Sequence, residues 1–180
     1  KYELYDLNAI TRIGYIGYLI DESNGNPKKL PNWENTELHK RAVQYQIDVD
    51  LVAQLLDSSS TRNFLNNENA WGNFADQIIN EISEKNGAGI VIDFFGLEKS
   101  QSANFLAFIR YMKYRLGEAS PRFELTISIP PVDTENIYQS KEISRIADRV
   151  ILMAMDYQNY EGNVCGPTSP LISNVPKALS

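Results

Sequence analysis

Apolar positions along the chain keep two alternating rhythms. Ala9 to Ile20 (AITRIGYIGYLI) is dense in β-branched and aromatic residues and stops at DESNGNPK, a turn signal. Asn35 to Gln46 then shows helical spacing at Leu38, Ala42 and Tyr45. Val49 to Leu56 reads as a strand. Ala70 to Lys85 is a clearer amphipathic helix, with Trp71, Phe74, Ile78 and Ile82 on one face. Gly89 to Phe95 is the next strand. Gln101 to Leu116 is a helix that turns Phe105, Phe108, Ile109 and Met112 inward. Phe123 to Ile129 is a strand closed by Pro130 and Pro131, Lys141 to Ala147 a short helix, and Arg149 to Met155 a strand. Beyond Asp156 the chain turns polar and rich in Pro and Gly, with no clear further element.

Five strands separated mostly by helices predict an α/β fold. Crossovers of this length join parallel strands and place the helices outside the sheet. Two architectures fit: a doubly wound open sheet, or part of an eight-fold β/α barrel. The open sheet suits 180 residues better, since a complete barrel usually needs about 250. In both, functional side chains gather at the C-terminal ends of the strands.

Composition narrows the function. The chain is 43% hydrophobic and 22% charged, an ordinary globular balance. No apolar run approaches the roughly 20 residues of a membrane span. A net charge of −6 argues against nucleic acid as partner. Cys165 and His39 are single residues of their types, too few for a structural zinc site, and Cys165 reads as an inert thiol in a turn-rich segment. No cofactor or metal is implied. No Gly-rich phosphate loop follows the first strand. The chain begins at Lys1 and shows no signal-peptide pattern, which reads as a processed or trimmed chain or a piece of something longer.

Two strand ends carry the candidate chemistry. In GAGIVIDFFGL, alternation puts Val91, Asp93 and Phe95 on one face and Ile90, Ile92 and Phe94 on the other. Asp93 therefore stands near a C-terminal mouth with Phe95 one step further out. In ILMAMDYQNY, Asp156 and Tyr157 end the last strand, with Tyr160 close behind. Carboxylates take hydroxyl or amide protons and aromatic faces stack on sugar rings, so this combination suits a polyhydroxylated ligand. The plainer reading makes Asp93 a structural acid and the tyrosines packing residues. Tyr15 and Tyr18 add aromatics from the first strand, while Trp71 reads as helix core.

Together these segments resemble glycoside hydrolase family 18, the chitinase-like enzymes and their inactive relatives. DLNAITRIGYIGYLIDESNGNPK resembles the second barrel strand and its turn, IDVDLVAQLL the third strand, and FLNNENAWGNFADQIINEISEKNGAGIVIDFF the helix and fourth strand. FELTISIPPVD resembles the fifth strand, and ADRVILMAMDYQNY with GPTSPL the sixth. The resemblance implies a TIM-type barrel, with residues 1–180 forming one partial domain of about five of its eight β/α units. It also implies an extracellular, cell-surface or periplasmic setting.

The departures from the family pattern bear on activity. The fourth-strand signature D-x-x-D-x-D-x-E falls on Ala88, Val91, Asp93 and Phe95, so Phe95 stands where the family carries its general acid. The third-strand S-x-G-G motif falls near Val52, Ala53, Gln54 and Leu55 and is lost. In the sixth-strand pattern M-x-Y-D-Y, Met155 replaces the first tyrosine while Asp156 and Tyr157 match. The expectation is a catalytically silent domain with no catalytic residue, binding a glycan, possible N-acetylglucosamine units included, through Asp93, Asp156, Tyr157 and Tyr15. Two alternatives stand beside it. One is a scaffold for a protein partner, with Phe95, Met153 and Met155 plugging the mouth. The other is an active glycosidase in which Glu98, three residues past Phe95, folds back as the acid.

Overall fold

The computed structural model describes residues 5–29 and 32–154. Five parallel strands form one sheet: β1 (Arg12–Leu19), β2 (Asp48–Leu55), β3 (Gly89–Phe94), β4 (Glu124–Ile129) and β5 (Arg149–Leu152). Their spatial order is their order in the chain. A doubly wound sheet reverses direction at a switch point. This one never does, which is the topology of a barrel segment and not of the open sheet that chain length alone favours.

Helices α1 (Glu37–Gln44), α2 (Ser58–Leu65), α3 (Glu68–Glu84), α4 (Ser102–Ala119) and α5 (Ser140–Ile146) all contribute to one core cluster on one face of the sheet. The strand residues in that cluster include the alternate set Val49, Leu51, Ala53, Leu55, Ile90, Ile92, Phe94, Leu125, Ile127 and Ile129. Phe108 of α4 is its hub, with rings of Phe64, Trp71, Phe74 and Phe94 within 5.2–5.9 Å. The α3 and α4 faces expected from periodicity are the buried ones. Two local expectations fail. The inward residues of α1 are His39 and Ala42, while Tyr45 lies past its end and is exposed. Helix α2 is absent from the periodicity reading because SSSTRN resembles a loop. Asp57 starts it, accepting the Ser60 backbone N–H at 2.9 Å, and Phe64 and Leu65 bury its last turn.

The opposite face is concave and mostly small or polar. Register places Asp50, Val52 and Gln54 beside Gly89, Val91 and Asp93, with Glu124 and Thr126 beyond. The curvature is visible in one ion pair: Arg12 of β1 reaches Glu124 of β4 at 2.7 Å, across two intervening strands. In a flat sheet those strands would stand about 14 Å apart at roughly 4.8 Å per step. Arg12 also bonds Asp50 at 2.6 Å and Asp48 at 3.0 Å, closing the lower end of the concave face with charge.

Candidate functional site

The C-terminal mouth is assembled by strand ends. Asp93 is the penultimate residue of β3 and lies beside Gln54 of β2 in register. Their side chains meet: Gln54 Nε2 donates to Asp93 Oδ2 at 2.7 Å. Asp93 is buried, its concave-face neighbour one step down is apolar Val91, and the main chain of Gln54 is pinned where its carbonyl accepts from Ile20 N–H at 3.1 Å. Both partners of the bond therefore sit on rigid elements.

Phe95 follows β3. Its N–H donates to Leu55 O at 2.9 Å, and Thr61 Oγ1 of α2 donates to its carbonyl at 2.8 Å. The backbone is held while Phe95 as a whole stays 43% exposed. Gly96 then turns the chain at φ 67°, a conformation that side chains resist, and a Cβ there would collide with Ser58.

A cleft of about 190 Å³ opens between Asp93, Phe95, Ser128, Tyr138 and Met153. Tyr138 comes from the loop after β4. The Asp133 carboxylate accepts the backbone N–H groups of Ile137 and Tyr138 at 2.7 and 2.8 Å and folds that loop back. Lys99 and Ser102 tie it to the start of α4 through carbonyls of residues 135–137. Burial first, then the charges of Asp133 and Asp93, push the Tyr138 phenol up to about 12. It remains a neutral hydroxyl across the working range.

The sequence-derived residues separate into three groups. Asp93 and Phe95 are brought together at the cleft. Tyr15 is not, and its expected place at the mouth is corrected by register. It pairs with Leu51 on the helix-covered face, where its half-buried ring packs 6.5 Å from Trp33. Asp156, Tyr157 and Met155 lie outside the described residues. Glu98 does not line the cleft, since it pairs with Arg62 of α2. Gln54 and Tyr138 are site residues that sequence reading missed. Gln54 was visible only as a departure from a motif, and Tyr138 lies in a loop with no periodic signal. A larger cavity of about 460 Å³ lies at the opposite, N-terminal end, among Arg12, His39, Asn86 and Glu124. Conservative geometry places stabilising, not reacting, groups at that end of a barrel. No helix of the described residues is long and apolar enough to cross a membrane.

Known proteins agree with this architecture. Over 141 residues the chain is 28% identical to YdhD of Bacillus subtilis strain 168, described as a candidate sporulation-specific glycosylase, covering 76% of this chain and 33% of that protein. The YdhD crystal structure superposes with a TM-score of 0.79 at 21% identity, over 90% of this chain and 56% of that one. The spore cortex-lytic enzyme SleL of Bacillus megaterium QM B1551 gives 0.74 at 19% identity, over 83% and 36%. A class V chitinase from Nicotiana tobaccum, solved with NAG4, gives 0.70 at 16%, over 88% and 51%. The chain thus spans about a third of the length of its curated relative and little more than half of the YdhD structure. Residues 56–179 match the profile of Glycosyl hydrolases family 18, and with well over half its length inside that span the chain belongs to this family.

Proposed function

We propose that this glycosidase-family domain binds a neutral glycan at the β3–β4 mouth without hydrolysing it. The observation that carries the reading is the cleft itself. It offers one carboxylate, Asp93, and one half-exposed aromatic, Phe95, which by the sequence resemblance stands where the family signature has its acid. Family 18 chemistry is substrate-assisted, so proton delivery to the leaving oxygen is the protein's main task. Phenylalanine has no proton to deliver. Among the described residues lining the cleft, the titratable groups are Asp93 and Tyr138. Asp93 is occupied by Gln54, and a phenol raised to about 12 is a poor acid at neutral pH. General acid catalysis is worth roughly 10²–10⁴-fold, so its loss leaves little turnover.

At about 190 Å³ the cleft is smaller than the roughly 300–1,000 Å³ of drug-sized sites. That size favours one sugar ring or a chain end. The NAG4 complex of the tobacco chitinase and the cortex-lytic relatives make N-acetylglucosamine-containing wall glycans, outside the cytoplasm, the first class to test. Asp156 and Tyr157 complete the ligand contacts in this reading.

Two assays on the same protein decide it. Calorimetric titration with chitotetraose is expected to show binding that weakens in Asp156→Ala and Tyr157→Ala. A chromogenic chitobioside is expected to remain uncleaved. Turnover that vanishes in Glu98→Gln would instead establish an active glycosidase. Absence of binding to any glycan would leave the barrel as a scaffold.

A further inference from the structure

We propose that Gln54 is a positioning residue that fixes Asp93 as a one-sided hydrogen-bond acceptor for the ligand. The inference rests on the binding reading above but is carried by separate geometry. Among the described residues, Gln54 supplies the hydrogen bond that Asp93 receives, at 2.7 Å to Oδ2. Below Asp93 on the concave face stands Val91, which can neither donate nor share a proton. An acid in that place would form a carboxylate pair with Asp93. Such a pair holds one proton between its members and gains or loses it with pH. An amide cannot do this. Its N–H donates and carries no titratable proton, so the contact uses Asp93 Oδ2 purely as an acceptor.

Orientation follows from where the donor is mounted. Gln54 stands beside Asp93 in the β2–β3 register, with its own carbonyl bonded to Ile20. A donor on a strand is placed more accurately than one on a loop. With Oδ2 engaged from the β2 side, Oδ1 is the oxygen available to a ligand in the cleft that Asp93 lines. The other polar groups there, the Tyr138 and Ser128 hydroxyls, are neutral. One anionic oxygen in a neutral, partly aromatic cleft accepts a hydroxyl or amide hydrogen and repels an anionic sugar. Gln54 thus shapes selectivity without touching the ligand.

The test has an arm that needs no glycan. In the free protein, the side-chain amide resonances of Gln54 are expected to move markedly in Asp93→Ala, with unfolding midpoints confirming that the variant folds. Unmoved resonances would overturn the proposal whether or not glycans bind. In the second arm, Gln54→Met is expected to weaken chitotetraose binding by about tenfold, the scale of one charge-assisted hydrogen bond. Gln54→Asn is expected to lose less. Gln54→Glu is expected to add an inflection to the pH profile of binding that the native profile lacks, because it restores a carboxylate pair. Native affinity and an unchanged pH profile in Gln54→Met and Gln54→Glu would overturn the assignment. If native protein does not bind chitotetraose, the binding reading falls, and the resonance arm alone decides the Gln54–Asp93 contact.

Discussion

Replacing Arg12 by Met gives the sharpest stability test. Arg12 serves three carboxylates, and they are unequal. The side chain of Asp50 is 3% exposed, that of Glu124 32% and that of Asp48 57%. Glu124 keeps a second partner, since Arg149 Nε donates to it at 2.7 Å. Exposed pairs contribute little, about 0–1 kcal/mol. Asp50 decides the outcome. Burial raises its carboxyl above the ordinary value, and Arg12 is the counterweight that lowers it. Stripping the partner from a buried charge costs roughly 3–5 kcal/mol, a large part of the about 5–15 kcal/mol that holds a domain together. The sign with pH follows from the raised value. The folded state holds the Asp50 proton more tightly than the unfolded state does, so stability falls as pH rises through the folded value. Arg12→Met is therefore expected to be most damaged near neutrality and to recover part of its deficit as pH falls toward about 4. Urea unfolding at both pH values measures this, and Arg12→Met/Asp50→Asn is expected to recover most of the neutral-pH loss. A neutral-pH cost below about 1 kcal/mol, or a double variant no better than the single, would refute the reasoning.

Other expectations concern single positions. Asp57, held down to about 2 by the Ser60 N–H and hydroxyl, stabilises α2 above its ordinary value near 3.8, and that contribution is lost as pH falls through about 2. Acid unfolding of Asp57→Asn is expected to lack that part of the native pH dependence; identical acid profiles would count against the cap. Gly96→Ala combines a left-handed backbone with a clash against Ser58 and is expected to cost about 1–3 kcal/mol by thermal unfolding, whereas Gly117→Ala, which meets no neighbour, is expected to stabilise its helix slightly. Phe95→Ala is expected to weaken chitotetraose binding by about 0.5–1.5 kcal/mol in calorimetry while unfolding is nearly unchanged. Equal affinity would remove the ring from the ligand site.

The strands and the two long helices were legible from local pattern, a short, nearly continuous apolar run for GIVIDF and a period near 3.6 for Trp71, Phe74, Ile78 and Ile82. The family resemblance was legible too, through the order of segments whose individual motifs are degenerate, and it placed Asp93 and Phe95 at a strand end. Period does not say which of two faces is covered by helices, and Tyr15 shows the consequence. It is an aromatic on a strand like the others, but its register with Leu51 puts it under the helices, opposite Asp93. Helix α2 escaped because its stability comes from a cap and two buried apolar residues, Phe64 and Leu65, not from its own propensity. Chain length alone favoured an open sheet, and only the unbroken strand order excluded it. Gln54 and Tyr138 join Asp93 through contacts spanning 39 residues in one case and through a folded-back loop in the other. Local sequence thus determined which segments become strands and helices, since that depends on neighbours a few residues apart. Tertiary structure decided the concave site, because which side chains meet there depends on strand register and sheet curvature, which bring together residues far apart in the chain.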